Sequence, residues 1–221
     1  MAMIRPLALA AMLSLSLAAC GEPAPPAAPA NVAQAEQKAT PAPLGDVVRI
    51  RLETDAGPIL LALDHRHAPV TTANFVAYVD QHRFDGTTFY RAARQPGDAR
   101  RGFIQGGIRH AARRALPQIA HEPTSRTGIR HRDATISMAR NAPGSAMGDF
   151  FITVGPMPAM DEGGGRNADR QGFAAFGRVE EGMDVVRAIL AAPTVPNAGR
   201  GGMRGQMITA PVRIVSARRA D

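Results

Sequence analysis

T-T-F-Y-R at Thr87 to Arg91 and G-F-I-Q-G-G at Gly102 to Gly107 are the two runs on which the reading of this chain turns. The first is β-branched and aromatic and ends on an arginine; the second is apolar and ends on a glutamine and two glycines. Both compositions suit strands, and the glycines mark a close approach or a turn. Between them lies a polar, arginine-rich insert, Gln95 to Arg101, read as a loop. Two neighbouring strands of this kind would present one cation, Arg91, and one amide, Gln105, to a common surface.

Working outward, Val47 to Glu53 largely alternates, Asp55-Ala56-Gly57 turns, and Ile59 to Leu63 forms a second apolar run, which together predict a β-hairpin. Pro69 fits the first position of a helix, with Phe75, Val76 and Val79 supplying much of its buried face. That helix should end near His82 to Phe84, where Asp85-Gly86 turns the chain into the first strand above. Beyond Gly107 the chain is polar and turn-rich until Ala134. Ala134 to Ala139, Asp149 to Val154, Gly172 to Val179 and Pro211 to Val215 read as strands, and Gly182 to Leu190 as an amphipathic helix. Many short strands with two good helices predict a mainly β fold, an antiparallel barrel whose ends the helices cover.

The sequence has 221 residues, 45% of them hydrophobic, which suits one domain with appendages. Its net charge of +7 comes from arginines scattered from Arg49 to Arg219, with Lys38 the single lysine. No basic run is present, tryptophan is absent and aromatics are few, so nucleic acid is not the expected partner. Cys20 is the sole cysteine, which excludes an internal disulfide and a cysteine-based zinc site. His65 and His67 sit in a turn with no third ligand nearby; His110, His121 and His131 lie in a polar stretch and read as solvent-facing. Neither a metal nor a cofactor is expected. Gly144-Ser145-Ala146-Met147-Gly148 lacks the strand-to-helix context of a nucleophile elbow, and Gly163-Gly164-Gly165 lacks the Lys-Ser/Thr of a phosphate loop.

The N-terminus has its own logic. Arg5, an apolar stretch from Leu7 to Leu17 and the small residues Ala18 and Ala19 have the layout of a secretory signal peptide over residues 1–19. The ending L-A-A-C, Leu17 to Cys20, resembles the lipobox of bacterial lipoproteins, which implies lipidation of Cys20; an ordinary secreted protein with a chance cysteine is the alternative. From Cys20 to residue 45 the chain is rich in Ala and Pro and reads as an extended, semi-rigid tether. Residues 46–221 are then the folded domain, expected to be a monomer.

Six segments occur in one order: P-V-T-T-A-N-F at 69–75, F-D-G-T-T-F-Y-R at 84–91, F-I-Q-G-G at 103–107, S-M-A-R at 137–140, G-D-F-F-I at 148–152 and F-A-A-F-G-R-V-E-E-G-M-D-V-V at 173–186. Together they resemble the cyclophilin peptidyl-prolyl isomerases across essentially all of 46–218. The resemblance implies a closed eight-stranded antiparallel barrel capped by two α-helices, with proline-containing polypeptides bound across one outer face. It makes Arg91 the catalytic arginine and Gln105 a substrate-holding amide. Ala139 and Arg140 fall where backbone pairs with substrate, and Phe151, Met160 and Phe173 at the proline pocket. Gly102 stands where the family has a phenylalanine, and Phe103 is expected to refill that wall. Asp149 replaces a glutamine that contacts substrate, and Ala159 a tryptophan associated with cyclosporin binding. The signal-like N-terminus places the domain in the bacterial periplasm, anchored to a membrane through Cys20, assisting the folding of exported proteins. A low-turnover module that holds proline segments is the alternative function.

Overall fold

The computed structural model describes residues 44–109 and 111–220. The signal peptide, Cys20 and the tether as far as residue 43 lie outside the described residues, as does His110. In chain order the elements are β1 (Val47–Thr54), β2 (Gly57–Asp64), α1 (Pro69–Asp80), β3 (Thr88–Gln95), β4 (Asp98–Gly107), α2 (Thr124–Thr127), β5 (Thr135–Met138), β6 (Asp149–Val154), β7 (Ala175–Glu181), α3 (Met183–Ala191), β8 (Thr194–Val195) and β9 (Met207–Ala220). The strands run in the order β1-β2-β7-β5-β6-β4-β3-β9, and β9 pairs back onto β1, so eight strands close into a barrel with every neighbour antiparallel. Closure leaves this sheet without a free edge. The two-residue β8 is a ninth strand laid on the start of β9.

β9 can serve two neighbours because it is long. Its first half pairs with β3 and its second half with β1. In the sequence only the middle of β9 stands out, because Pro211 inside the run reads as a start rather than an interior position.

The barrel interior is packed solid with side chains that alternate inward, among them Ile50, Leu52, Ile59, Leu61, Ile104, Ile136, Phe150, Ile152 and Phe176. α1 adds Phe75, Val76, Tyr78 and Val79, and α3 adds Val185, Val186, Ile189 and Leu190. Phe75 lies with its ring centroid 4.8–5.4 Å from those of Phe84, Phe150 and Phe176.

α1 opens with Pro69, and its own N-cap residue, Ala68, supplies no capping side chain. The cap comes from 51 to 52 residues away in sequence. The buried carboxylate of Glu122 accepts the backbone N–H groups of Val70 (3.2 Å) and Thr71 (2.7 Å), placing negative charge at the positive end of the helix.

The expected loop at Gln95–Arg101 is in fact hairpin. β3 and β4 run on past Arg94 and Gly102 and turn at Pro96-Gly97, with Gln95 opposite Asp98. The P-G turn signal outweighed the polarity of the flanking residues, which face solvent on both sides of the ribbon. Arg94 fastens this extension to the fold: its Nε donates to the Leu190 carbonyl (2.9 Å) and its Nη2 to that of Ala192, at the C-terminal end of α3 where carbonyls lack helical partners.

Candidate active site on the outer face of the barrel

A β-bulge decides where Arg91 points. Phe89 pairs with Gly106 and Arg91 with Gln105, so Tyr90 and Arg91 together oppose one residue of β4. In an unbroken strand Phe89 and Arg91 would share a face. The extra residue shifts the parity, leaving Phe89 in the core and turning Arg91 outward. The bulge needs Gly106 opposite it: a Cβ there would stand 2.7 Å from a Phe89 ring carbon and 3.0 Å from the Thr88 carbonyl.

Arg91 is 8% exposed and firmly held. Its Nη1 donates to Gln105 Oε1 (2.8 Å); Nε and Nη2 fork onto Gln206 Oε1 (2.9 and 2.7 Å), and Nη2 also reaches the Gly202 carbonyl (3.3 Å). Four of the five guanidinium N–H groups are thereby used among the described residues, leaving one on Nη1. The guanidinium carbon stands 4.9 Å from the centre of the Phe103 ring. Burial, and next the nearby Arg166 cation, push the Arg91 pKa down to about 10, against a smaller opposing effect of Tyr90. It is still a cation at neutral pH.

A polar chain runs from Arg91 along the barrel surface. Gln105 Nε2 donates to the Tyr90 hydroxyl (2.8 Å), which donates to Asp149 Oδ1 (3.1 Å); that oxygen also accepts the Arg109 backbone N–H (2.9 Å). Burial first, then the adjacent Asp149 charge, raise the Tyr90 pKa, so its hydroxyl remains a donor. Asp149 thus spends its carboxylate on the protein.

Beside this chain lies an apolar cluster separate from the barrel core: Ala93, Phe103, Phe151 and Met160, flanked by Ala139, Met157 and Phe173. The Phe151 ring sits 5.3 Å from Phe103 and, edge-on, 5.3 Å from Phe173. Gly102 has φ +144°, and a Cβ there would fall 2.1 Å from the Ala93 carbonyl, so no phenylalanine can occupy that position; Phe103 supplies the wall instead. Phe103, Phe151, Met160 and Phe173 line a groove of about 610 Å³ with Tyr90, Arg91, Gln105, Ala139 and Arg140, closed on one side by the loop that carries Arg200 and Met203. Phe103, Met160 and Arg166 also border a second recess of about 370 Å³, which contains Ala159.

Every sequence-predicted site residue in the described region therefore meets at one groove, although the Arg140 side chain has a different employment. Its guanidinium forms a bidentate pair with Asp169 (2.8 and 2.9 Å) and lies 5.4 Å from the centre of the Phe173 ring, tying down the 166–172 loop. Its backbone N–H and carbonyl, just past the end of β5, have no partner among the described residues.

His131 corrects the sequence reading. It is 2% exposed, with Nδ1 2.7 Å from Asp161 Oδ1 and Nε2 2.9 Å from Ser137 Oγ. The imidazole stacks under Phe151 at 5.8 Å and 11°. With Nδ1–H donating to the carboxylate, Nε2 accepts the Ser137 hydroxyl, and the ring is neutral; burial lowers its pKa despite the Asp161 charge. Nothing local announced this, because Asp161 is 30 residues away. His121, in contrast, is only partly covered and holds the Gln171 carbonyl at 2.9 Å.

The barrel has a filled interior, and the groove wide enough to take an extended chain lies on its outer face. Comparison with known proteins gives this class its family. The description "Cyclophilin type peptidyl-prolyl cis-trans isomerase/CLD" matches residues 49–219. The peptidyl-prolyl cis-trans isomerase cyp18 of Streptomyces antibioticus is 36% identical over 173 residues, covering 76% of this chain and 96% of the relative. Peptidyl-prolyl cis-trans isomerase A of Dickeya dadantii is 37% identical over 142 residues, 63% of this chain and 70% of the relative. A Cryptosporidium parvum cyclophilin-type isomerase crystallised in the presence of the dipeptide Ala-Pro superposes with a TM-score of 0.62 at 16% identity, covering 78% of this chain and 99% of that one, which bears on the fold. The chain belongs to the cyclophilin-type peptidyl-prolyl cis-trans isomerases.

Proposed function

We propose that Arg91 is the catalytic group of this isomerase and that the Phe103, Phe151, Met160 and Phe173 cluster grips the substrate proline. The family activity, rotation about the X-Pro peptide bond, is the activity of this chain. That bond resists rotation by ~18–20 kcal/mol because the nitrogen lone pair is delocalised into the carbonyl, while the cis and trans forms differ by only ~0.5–1 kcal/mol. Catalysis needs no proton transfer and no covalent intermediate. It needs a donor aimed where the twisted amide nitrogen regains its lone pair, and a hold on the groups either side.

The observation that carries the reading is the geometry of Arg91. Gln206 and Gln105 fix the guanidinium over the edge of the apolar pocket with one N–H unspent, so the donor is oriented before substrate arrives. Gln105 steadies both the cation and the flanking substrate backbone. The unpaired backbone groups at Arg140, beside Ala139, extend the hold to the residue on the other side of the bond. A protease-free isomerisation assay on a proline peptide tests the assignment. Arg91→Ala should keep its fold and lose roughly 10²–10³ in kcat/KM. Unchanged turnover would remove Arg91 from the mechanism, and a wild type that binds the peptide without turning it over would favour the holding module.

The layout of residues 1–45 supports the placement of this activity in the bacterial envelope, with a domain tethered to a membrane through lipidated Cys20 and acting on exported polypeptides as a monomer. X-Pro isomerisation takes ~10–100 s uncatalysed, slow enough to limit folding after export. Detergent-phase partitioning of the full chain against Cys20→Ser checks the anchor; equal partitioning would discard it.

A further inference from the structure

The charge around the groove is one-sided. Arg91, Arg109, Arg140, Arg166 and Arg200 line it, against a single carboxylate, Asp149. That carboxylate is engaged by the Tyr90 hydroxyl and the Arg109 backbone N–H. Of the five cations only Arg140 has a carboxylate partner, Asp169; Arg109, Arg166 and Arg200 make no ion pair among the described residues. Elsewhere some arginines do have a carboxylate partner: Arg49 pairs with Glu180, Arg218 with Asp85 and Arg219 with Asp80, each within 3 Å.

The two unpaired cations nearest the pocket are also placed. Arg166 stands 5.9 Å from the centre of the Phe103 ring, which Arg91 shares from 4.9 Å. Arg109 stands 5.5 Å from the centre of the Tyr90 ring, on the far side of the Gln105-Tyr90 link. An extended chain advances ~3.3 Å per residue, so a peptide with its proline over Phe151 carries its neighbouring side chains past one or other of these groups. Burial is the main cause of the depressed Arg91 pKa, and the nearby Arg166 cation adds to it. An anion bound between the two arginines would relieve that second contribution. A cleft lined by one sign of charge also concentrates ligands of the opposite sign.

We infer that this isomerase selects proline segments whose flanking residues carry carboxylates, with Arg109 and Arg166 as the specificity-determining groups. The inference rests on the proposed use of the groove as the proline site. Acidic side chains beside the proline gain a guanidinium partner at either end of the pocket, and basic ones meet uncompensated like charge. Since both arginines are solvent-exposed, the preference acts mainly on capture and weakens as salt screens it.

Three peptides of one length test it in the protease-free assay, with Glu, Ala or Lys on both sides of an Ala-Pro core. The expected order of kcat/KM is Glu over Ala over Lys, with a Glu/Lys ratio of about tenfold or more at low ionic strength that shrinks towards unity near 1 M salt. Arg109→Gln with Arg166→Gln should flatten the ratio, and Arg109→Glu with Arg166→Glu should invert it. If the Ala peptide is turned over but the wild type treats Glu and Lys alike, the charge inference is wrong and the isomerase reading stands. If none of the three peptides is isomerised, the isomerase reading itself falls. A Glu preference that survives the charge-reversed variant removes the role from these two arginines.

Discussion

Phe150 and Phe151 are adjacent on one strand and both almost wholly buried, yet they belong to different parts of the machine. Phe150 points into the barrel, 0% exposed, with its ring edge-on to Phe75, Phe84 and Phe89 at 5.2–5.7 Å. Phe151 points out, 3% exposed, against Phe103, Phe173 and the stacked His131. All six residues of β6 are buried, so burial alone does not separate core from site. What separates them is the company. The inner ring packs among the core aromatics, whereas the outer one has oriented polar groups beside it and lines a groove.

The sharpest test of that difference removes each ring in turn. Phe150→Ala leaves a closed cavity and should cost ~3–5 kcal/mol in urea unfolding. Phe151→Ala opens onto a groove that already exists, so only the transfer cost of the ring is lost, ~1.5–3 kcal/mol, while kcat/KM falls because the proline loses its seat. Equal stability losses would break the comparison between an inner and an outer cluster.

The bulge at Tyr90 is where the two clusters meet, and Gly106 lies under it. Gly106→Ala places a methyl against Phe89 and the Thr88 carbonyl, an overpacking that should cost ~1–3 kcal/mol. Relief by shifting Phe89 moves the bulge, and with it the aim of Arg91. Because a misplacement of ~1 Å can cost ~10²-fold, kcat/KM should fall further than the stability loss accounts for. A variant that is destabilised yet fully active would show that the bulge does not set the arginine.

How much of this was legible follows from the range of the interactions. Strand alternation and the P-x-helix start of α1 are local, and both were read correctly. The order of the six segments pointed to the groove through family likeness, and Phe103 lies in its lining. The bulge was not legible, because T-T-F-Y-R looks like any strand and parity is disturbed only by pairing with Gly106 and Gln105. The Pro96-Gly97 hairpin was legible but was overridden by the polarity around it. Glu122 and His131 could not have been found locally: each sits in a polar stretch, and their charge-bearing contacts, the N-terminus of α1 for Glu122 and Asp161 for His131, are 30 to 52 residues away.

His131 ties the outer cluster to pH in a way the inner one is not. Its folded pKa is lowered, so the unfolded chain takes up the proton first as the solution is acidified. The stability owed to the neutral ring is therefore complete above the unfolded value near ~6.5 and drains away as pH falls below it, by ~1.4 kcal/mol for each unit of depression. Urea midpoints between pH 7 and 5 should fall more steeply for the wild type than for His131→Gln. Parallel profiles would mean that the ring beneath Phe151 does not control acid sensitivity.

The smallest effect expected belongs to the link between Gln105 and Asp149. Tyr90→Phe removes one hydroxyl that accepts from Gln105 and donates to Asp149, and leaves the ring under Arg109 in place. If Gln105 is steadied from both ends, losing one end should cost ~0.5–1.5 kcal/mol, a few-fold to about tenfold in kcat/KM, with KM carrying most of it because Gln105 positions and does not react. If instead Arg91 alone fixes Gln105 through its 2.8 Å bond, Tyr90→Phe will turn over like the wild type, and the polar chain then serves Asp149 and the fold more than the substrate.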